Sequence, residues 1–223
     1  RTTRAGETVD MNLVPNPSHL ESVDAVVGGI TRAKQDHYCQ ENFRQALPIL
    51  IHGDAAVSGQ GIVYETVQMC GLRGFTNAGT VHIVINNQVG FTANFADSRS
   101  SLYCTDIAKM NDSPVLHVNA DDAEAVVRTF LLTIDYRQAF GKDVYINLFG
   151  YRKYGHNEGD EPRFTQPLLY KIISKHDNPR NIYAQKLIEE GLIQQSYVAE
   201  IENAYKATLD ADLEASRRES LTI

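Results

Sequence analysis

Two short polar clusters, each following an apolar run, carry the residue types that a metal-bound phosphate site requires. Gly53-Asp54-Ala55-Ala56 follows the run 47–51, and Asn86-Asn87 follows the run 80–85. Small side chains let a phosphate approach the backbone. An aspartate repels a phosphate unless a divalent cation lies between them, and hard oxygen ligands suit Mg²⁺ or Ca²⁺. Either cluster alone is ordinary turn chemistry, but together they predict a metal site completed by a carbonyl near Gly90.

The two clusters need neighbouring elements that bring them together, and the hydrophobic pattern predicts such elements. Short apolar runs alternate with helical stretches. The predicted strands are 47–51, 80–85, 114–118 and 143–149, and the predicted helices are 62–70 and 121–140. This rhythm is typical of an α/β fold with a parallel sheet and helices on both faces. Such sheets bind ligands beyond the carboxyl ends of their strands, where both clusters lie.

The same pattern divides the chain into three parts. Residues 1–45 are predicted to be an irregular N-terminal segment, and residues 46–165 form the α/β domain. Residues 166–223 are predicted to be a helical extension that leads to a further domain. Its expected helices are 167–174, 179–190 and 195–213. The opening residues resemble the interior of a longer protein and carry no secretory signal, so we expect a fragment.

Two further segments carry candidate chemistry. In Gly155–Pro162, His156 lies among carboxylates after a predicted strand, where it could act as an acid or base; a solvated acidic loop is the simpler interpretation. In Asn16–Leu20, Ser18 could donate a hydrogen bond to a carboxylate; a structural turn with Leu20 in the core is the alternative. Four other histidines are interpreted as structural or surface residues: His37, His82, His117 and His176.

Composition excludes several classes of function. The net charge of −7 offers no basic surface for a nucleic acid. The three cysteines, Cys39, Cys70 and Cys104, have no spacing typical of a zinc or redox pair, and we interpret them as buried or half-buried thiols in a reducing compartment. No apolar run approaches the about 20 residues of a membrane span.

Longer motifs are similar to those of one enzyme family. Asn87 lies 33 positions after Asp54 (87 − 54), and a Gly-Asp and Asn-Asn pair at this spacing resembles the signature of thiamine-diphosphate enzymes. The variant His-Gly-Asp-Ala-Ala resembles the 2-oxoglutarate dehydrogenase branch, although many members have glycine where Ala55 stands. Three further blocks are similar to that branch: 16–21, 98–106 and 155–162. The resemblance covers nearly the whole chain.

The resemblance implies thiamine diphosphate and Mg²⁺ as cofactors. The implied cofactor-binding residues are Leu20, Gly53, Asp54, Ala55, Ala56, Asn87 and Val89. Of these, the side chains of Asp54 and Asn87 and the carbonyl of Val89 hold the metal in the family. Ser18 and His156 are implied to contact the 2-oxo acid, and His156 is the implied catalytic residue. The resemblance assigns no definite role to His19 or Glu158.

The implied reaction is oxidative decarboxylation of 2-oxoglutarate in the tricarboxylic acid cycle. The succinyl group would pass to a lipoyl arm of the partner dihydrolipoamide succinyltransferase, and the full-length parent would be a homodimer. The family works in the bacterial cytoplasm or the mitochondrial matrix, and we favour the cytoplasm. Because the family activates its cofactor through a glutamate on a separate domain, which we do not find here, we expect the chain alone to be inactive.

Other functions share part of the pattern. A 2-oxoadipate dehydrogenase and a stand-alone 2-oxoglutarate decarboxylase would have similar motifs. A metallophosphoesterase also uses Gly-Asp at a strand end, but Gly155-His156-Asn157-Glu158 has its asparagine and histidine in the wrong order for that class. The remaining interpretation is a non-catalytic domain whose observable property is assembly with other subunits.

Overall fold

The computed structural model describes residues 1–3, 5–40 and 42–218. The chain separates into two compact units, Arg1–His176 and Asp177–Ile223. The first unit contains the sheet, and the second contains helices α7 (Pro179–Glu189) and α8 (Gln195–Arg218). The three-part division at 45/46 and 165/166 stays a prediction.

Four parallel strands form the sheet in the order β1-β2-β6-β5. They are β1 (Ile49–Gly53), β2 (Val81–Asn86), β5 (Val115–Asn119) and β6 (Val144–Phe149). Each begins one or two residues later than predicted. A short antiparallel pair, β3 (Val89–Gly90) and β4 (Ala93–Asn94), follows β2. The α/β fold class is confirmed.

Helices cover both faces of the sheet. The helices of the first unit are α1 (Ser22–Tyr38), α2 (Asp54–Val57), α3 (Gly61–Met69), α4 (Phe95–Ser98), α5 (Ala123–Phe140) and α6 (Pro167–Ile173). Val84 of β2 packs with Val63 and Val67 of α3. Its neighbour Ile83 packs on the opposite face with α5 residues such as Phe130. In the order β1-β2-β6-β5, the step from β1 to β2 and the step from β5 to β6 run in opposite directions across the sheet. Because both crossovers are right-handed, α3 of the first and α5 of the second lie on opposite faces.

Helix α1 shows that the expectation of an irregular segment at residues 1–45 is wrong for Ser22–Tyr38. The buried residues of this 17-residue helix are Asp24, Thr31 and Gln35, all of them polar. Val23, Val26, Val27 and Ile30 recur at helical spacing, but they are half-buried or exposed, so the apolar stripe of the sequence is not the face that the fold buries. Gly28 and Gly29 also lower the intrinsic helix propensity of this segment.

Two expectations from composition can be compared with the structure. All three cysteines are free, with Cys39 and Cys104 buried and Cys70 half-buried, as predicted. Among the described residues, no helix combines the length and the apolarity of a membrane span.

Candidate functional site

The predicted metal-binding residues come together at the carboxyl edge of the sheet. Gly53 at the end of β1 lies opposite Ile85 of β2, so Asp54 and Asn87 follow neighbouring strand ends. The backbone N–H of Asn87 lies close enough to the Asp54 carboxylate to help lower the pKa of that group. Val89 is 3% exposed in the turn that follows. The structure places Asp54 and Asn87 after neighbouring strand ends, with Val89 in the turn that follows β2. Their role as metal ligands stays a prediction.

The electrostatic environment of Asp54 fits a bound cation. Its side chain is 3% exposed, and Oδ2 lies 3.8 Å from Nη1 of Arg99, too far for a hydrogen bond. Burial raises the pKa of Asp54 above its ordinary value, although the Arg99 charge and nearby backbone N–H groups oppose this rise. A divalent cation would stabilise this buried carboxylate further. Together with the oxygens of Asn87 and Val89, the carboxylate would offer the hard donor set that Mg²⁺ prefers.

The turn after β2 is shaped by side chains that bond to their own backbone. Asn86 Oδ1 accepts from the Gln88 N–H at 3.2 Å, and Asn87 Oδ1 accepts from the Val89 N–H at 3.0 Å. Gln88 has a φ of 67°, in the left-handed region that short turns use. Because an amide oxygen has two lone pairs, Asn87 Oδ1 keeps one for a metal ion.

Small residues leave room around the Asp54 cluster. Gly53 is exposed, and a Cβ built on it would have nothing within 4 Å. Ala55 and Ala56 are half-buried in α2. A Cβ built on Gly90 would lie 2.6 Å from the Cβ of Ala55, so the turn approaches α2 more closely than any larger residue at position 90 would allow. The backbone is therefore accessible to an anion at Gly53, while the turn at Gly90 packs closely against α2.

The His156 loop is connected to the same edge through Phe91. The two rings lie 4.2 Å apart between centroids. Nδ1 of His156 lies 2.9 Å from Oδ2 of Asp160, and Nε2 lies 2.9 Å from Nδ2 of Asn157. Desolvation favours a raised pKa for Asp160. The hydrogen bonds and charge of His156 outweigh it and hold that pKa below its ordinary value. Asp160 and Asn157 therefore each contact one ring nitrogen of His156.

The predicted substrate loop is exposed. Ser18 is exposed, and Leu20 is 53% exposed, so Leu20 does not lie in the core. The next residue, Glu21, is buried and bonds through Oε2 to Nδ1 of His52 at 2.6 Å. His52 lies two residues before Asp54, so this bond fixes the end of the loop near the Asp54 cluster. Among the described residues, no hydrogen bond or ion pair links Ser18 or Leu20 to that cluster directly.

A chain of buried polar groups continues from Glu21 beneath the site. Nε2 of His52 lies 3.0 Å from Nδ1 of His82, whose other ring nitrogen lies 3.9 Å from Oδ2 of Asp143. Burial favours a raised pKa for Glu21, but the hydrogen bond and charge of His52 hold that pKa below its ordinary value. Burial and the neighbouring Glu21 raise the pKa of Asp24 to about 8. The two carboxyl groups therefore share one proton near neutral pH.

Comparison with known proteins identifies the family. The family model "Dehydrogenase E1 component" matches residues 5–222. The chain belongs to the dehydrogenase E1 component family. The relatives named 2-oxoglutarate dehydrogenase E1 component include those of Rickettsia typhi, Haemophilus influenzae and Azotobacter vinelandii, which are 46%, 48% and 50% identical over 214, 203 and 207 residues. The alignments cover 96%, 91% and 92% of this chain but only 23%, 22% and 22% of the relatives.

Membership of the E1 family implies thiamine diphosphate as the cofactor and confirms the resemblance found in the motifs. Sequence reasoning missed three residues at the site: Glu21, His52 and Arg99. Glu21 and Arg99 lie in blocks that resemble the family, but their roles depend on partners far along the chain. Glu21 is a buried acid at the end of an otherwise exposed loop. Sequence alone does not show this burial, so it gave no signal that Glu21 belongs to the site.

Proposed function

We propose that this chain is the thiamine-diphosphate- and Mg²⁺-binding domain of a 2-oxoglutarate dehydrogenase E1 component. The observation that supports this most directly is the meeting of Asp54, Asn87 and Val89 at neighbouring strand ends. The identity of 46–50% to relatives that carry this name supports the same assignment. The activity, substrate and partners of the complete protein are part of the proposal, because the chain spans less than a quarter of those relatives.

Each predicted site residue has a task in this proposal. Asp54, Asn87 and the Val89 carbonyl hold Mg²⁺, which neutralises the diphosphate. Gly53, Ala55 and Ala56 leave space for the phosphate groups, and Leu20 packs against the cofactor. When bound, thiamine diphosphate supplies the electron sink for the loss of CO₂ from a 2-oxo acid.

The substrate side of the proposal depends on Ser18 and His156. The Ser18 hydroxyl donates to the carboxylate of 2-oxoglutarate. Asp160 fixes the Nδ1–H of His156, which leaves Nε2 as the atom that exchanges a proton. Asn157 must release Nε2 before that exchange, since its side-chain amide lies 2.9 Å away. His156 would then be the catalytic residue.

The complete protein, in this proposal, is a homodimer that passes a succinyl group to a lipoyl-bearing dihydrolipoamide succinyltransferase. The relatives named above are bacterial, which favours the bacterial cytoplasm over the mitochondrial matrix. Neither 2-oxoadipate dehydrogenase nor a stand-alone decarboxylase is better supported. Hydrolysis of p-nitrophenyl phosphate would be required to revive the metallophosphoesterase alternative.

Calorimetric titration of thiamine diphosphate, with and without Mg²⁺, tests the proposal. We expect the wild-type chain to bind only when Mg²⁺ is present. Asp54→Asn should weaken binding by more than about 100-fold, because it removes the charged ligand of the metal. Glu65→Ala, which changes an exposed carboxylate on α3, is the matched control and should bind as the wild type does.

Three results would contradict the proposal. The first is binding that does not depend on Mg²⁺, and the second is unchanged binding by a folded Asp54→Asn variant. The third is a wild-type chain, folded by circular dichroism, that fails to bind the cofactor. Equal losses in Asp54→Asn and Glu65→Ala would show that the effect is not specific to the site.

A further inference from the structure

Arg99 is a buried cation whose hydrogen-bond donors are largely unused. Its side chain is 8% exposed. Among the residues that the structure describes, neither Nε nor Nη1 has a hydrogen-bond partner. Asp54 Oδ2, at 3.8 Å from Nη1, is within ion-pair range but beyond hydrogen-bonding distance. A buried guanidinium with unpaired N–H groups is unfavourable unless an acceptor binds to it.

Arg99 lines a cavity of about 530 Å³ at the carboxyl ends of β2, β5 and β6. This volume is typical of a site for a small organic molecule. Phe95, Leu102 and Phe149 give the cavity apolar walls. The guanidinium carbon lies 5.6 Å from the centre of the Phe95 ring, a cation–π contact that holds the charged group in place. No Asp, Glu or Lys is found among the described residues of the lining.

Other polar side chains of the cavity already have partners within the protein. Asn147 Nδ2 lies 3.0 Å from Nδ1 of His117. Gln88 Nε2 donates to the Gly150 carbonyl at 2.8 Å, and Asn119 Oδ1 accepts from a backbone N–H at 3.1 Å. The unmet requirement for a ligand therefore falls on Arg99, and it is a requirement for an anion.

We propose that this cavity binds a small organic carboxylate. The carboxylate accepts hydrogen bonds from the Arg99 guanidinium, and the hydrocarbon part packs between Phe95, Leu102 and Phe149. The apolar walls favour such a ligand over an inorganic anion, which would lose hydration against them without compensation. The cavity adjoins the Asp54 cluster through Arg99. Its lining does not include Asp54, Asn87 or Val89, so it would exist even if that cluster bound no cofactor.

The position of Asp54 beside Arg99 predicts how a substitution of Asp54 changes carboxylate binding. Its carboxylate attracts the same guanidinium and repels an incoming anion, so it competes with the ligand. Asp54→Asn should strengthen carboxylate binding several-fold while it abolishes Mg²⁺-dependent cofactor binding. These opposite responses distinguish a failure of this inference from a failure of the proposed function.

The probe is hexanoate, compared by calorimetry with the neutral hexanamide and with inorganic phosphate. We expect hexanoate to bind at millimolar concentration or below, and hexanamide to bind about tenfold more weakly or not at all. Arg99→Gln should weaken hexanoate binding about tenfold, and Arg99→Lys should recover part of it. Leu102→Trp, at a position that is 75% exposed, should block the cavity by filling it.

Leu102→Trp keeps the test decisive if Arg99→Gln fails to fold, because this change leaves the charge at Arg99 in place. The variant should retain Mg²⁺-dependent binding of thiamine diphosphate. The inference is overturned if the wild type does not bind hexanoate at millimolar concentration, or binds hexanamide equally well. It is also overturned if Leu102→Trp binds hexanoate normally, or if phosphate displaces hexanoate at equal concentration.

Discussion

Two buried side chains at the amino-terminal side of the sheet donate to the same three carbonyl groups, and a double-mutant cycle can measure their shared contribution. Arg137 of α5 is 0% exposed, and its Nη2 donates to the carbonyls of Phe43, Ala46 and Asn77 at 3.3, 2.9 and 2.9 Å. Nε2 of Gln35 in α1 donates to the same carbonyls at 2.8, 3.2 and 2.8 Å. Each donor can therefore compensate for the loss of the other.

The single substitutions should have moderate effects. Arg137→Met removes a bond of 3.0 Å from Nε to the Gly79 carbonyl, which Gln35 does not replace. A hydrogen bond to a charged group contributes about 1.5–3 kcal/mol, and relief of the buried charge offsets part of the loss. We expect Arg137→Met to lower the free energy of unfolding by about 3 kcal/mol. Gln35→Leu, which removes a neutral donor, should cost about 1 kcal/mol.

The double substitution should cost more than the sum. With both donors absent, the three shared carbonyls lose these partners together, and each buried unsatisfied acceptor costs about 1–3 kcal/mol. Allowing for some hydration of the loop, we expect an interaction energy of about 2–3 kcal/mol. The total loss of about 6–7 kcal/mol would consume much of the about 5–15 kcal/mol that stabilises a typical domain.

Urea unfolding followed by far-ultraviolet circular dichroism measures all four corners of the cycle. Arg128→Met is the control, because this arginine also lies on α5 but its side chain is 80% exposed. The control should change stability by less than about 0.5 kcal/mol. Additivity of Arg137→Met and Gln35→Leu within about 0.5 kcal/mol would refute the idea of shared acceptors, as would a loss in Arg137→Met no larger than in the control.

Two further predictions concern the turn and the buried acids. Gly90→Ala should lower the free energy of unfolding by about 1–3 kcal/mol and weaken Mg²⁺-dependent binding of thiamine diphosphate, because the new Cβ would lie 2.6 Å from the Cβ of Ala55. Gly71→Ala is the control, because nothing lies within 4 Å of a Cβ built there. Calorimetry should show no change in binding for this control. The pKa of Asp24 is raised to about 8 from 3.8, so the folded protein holds a proton that the unfolded chain releases, and stability should fall as pH rises between these values. Asp24→Asn should flatten this dependence in urea unfolding at several pH values and add a few kcal/mol near pH 8; an equally steep decline in the variant would contradict the assignment.

Much of the sheet and of the Asp54 cluster follows from local sequence signals. Strands β1, β2, β5 and β6 are short apolar runs that end in polar residues, and each was predicted within two residues of where it begins. Once two parallel strands are neighbours, their carboxyl ends must lie side by side. Asp54 and Asn87 could therefore be placed together from sequence, although only the pairing of β1 with β2 shows that they are neighbours.

Helix α1 shows where local signals are insufficient. Its buried positions are Asp24, Thr31 and Gln35, whose burial is favourable only because groups elsewhere in the fold satisfy them. Gln35, for example, donates to the Asn77 carbonyl, 42 residues later. A pattern based on hydrophobicity cannot reveal a face of this kind, because its stabilising partners are absent from the local sequence.

The sequence by itself determined the fold class, the family resemblance and the residues expected to hold the cofactor, because these depend on short patterns. The tertiary structure alone decided which groups support them. Glu21 meets His52 across 31 positions, and Arg99 reaches Asp54 from a separate loop. Burial and pairing of charges are properties of the assembled fold, since they depend on which distant segments exclude water from one another.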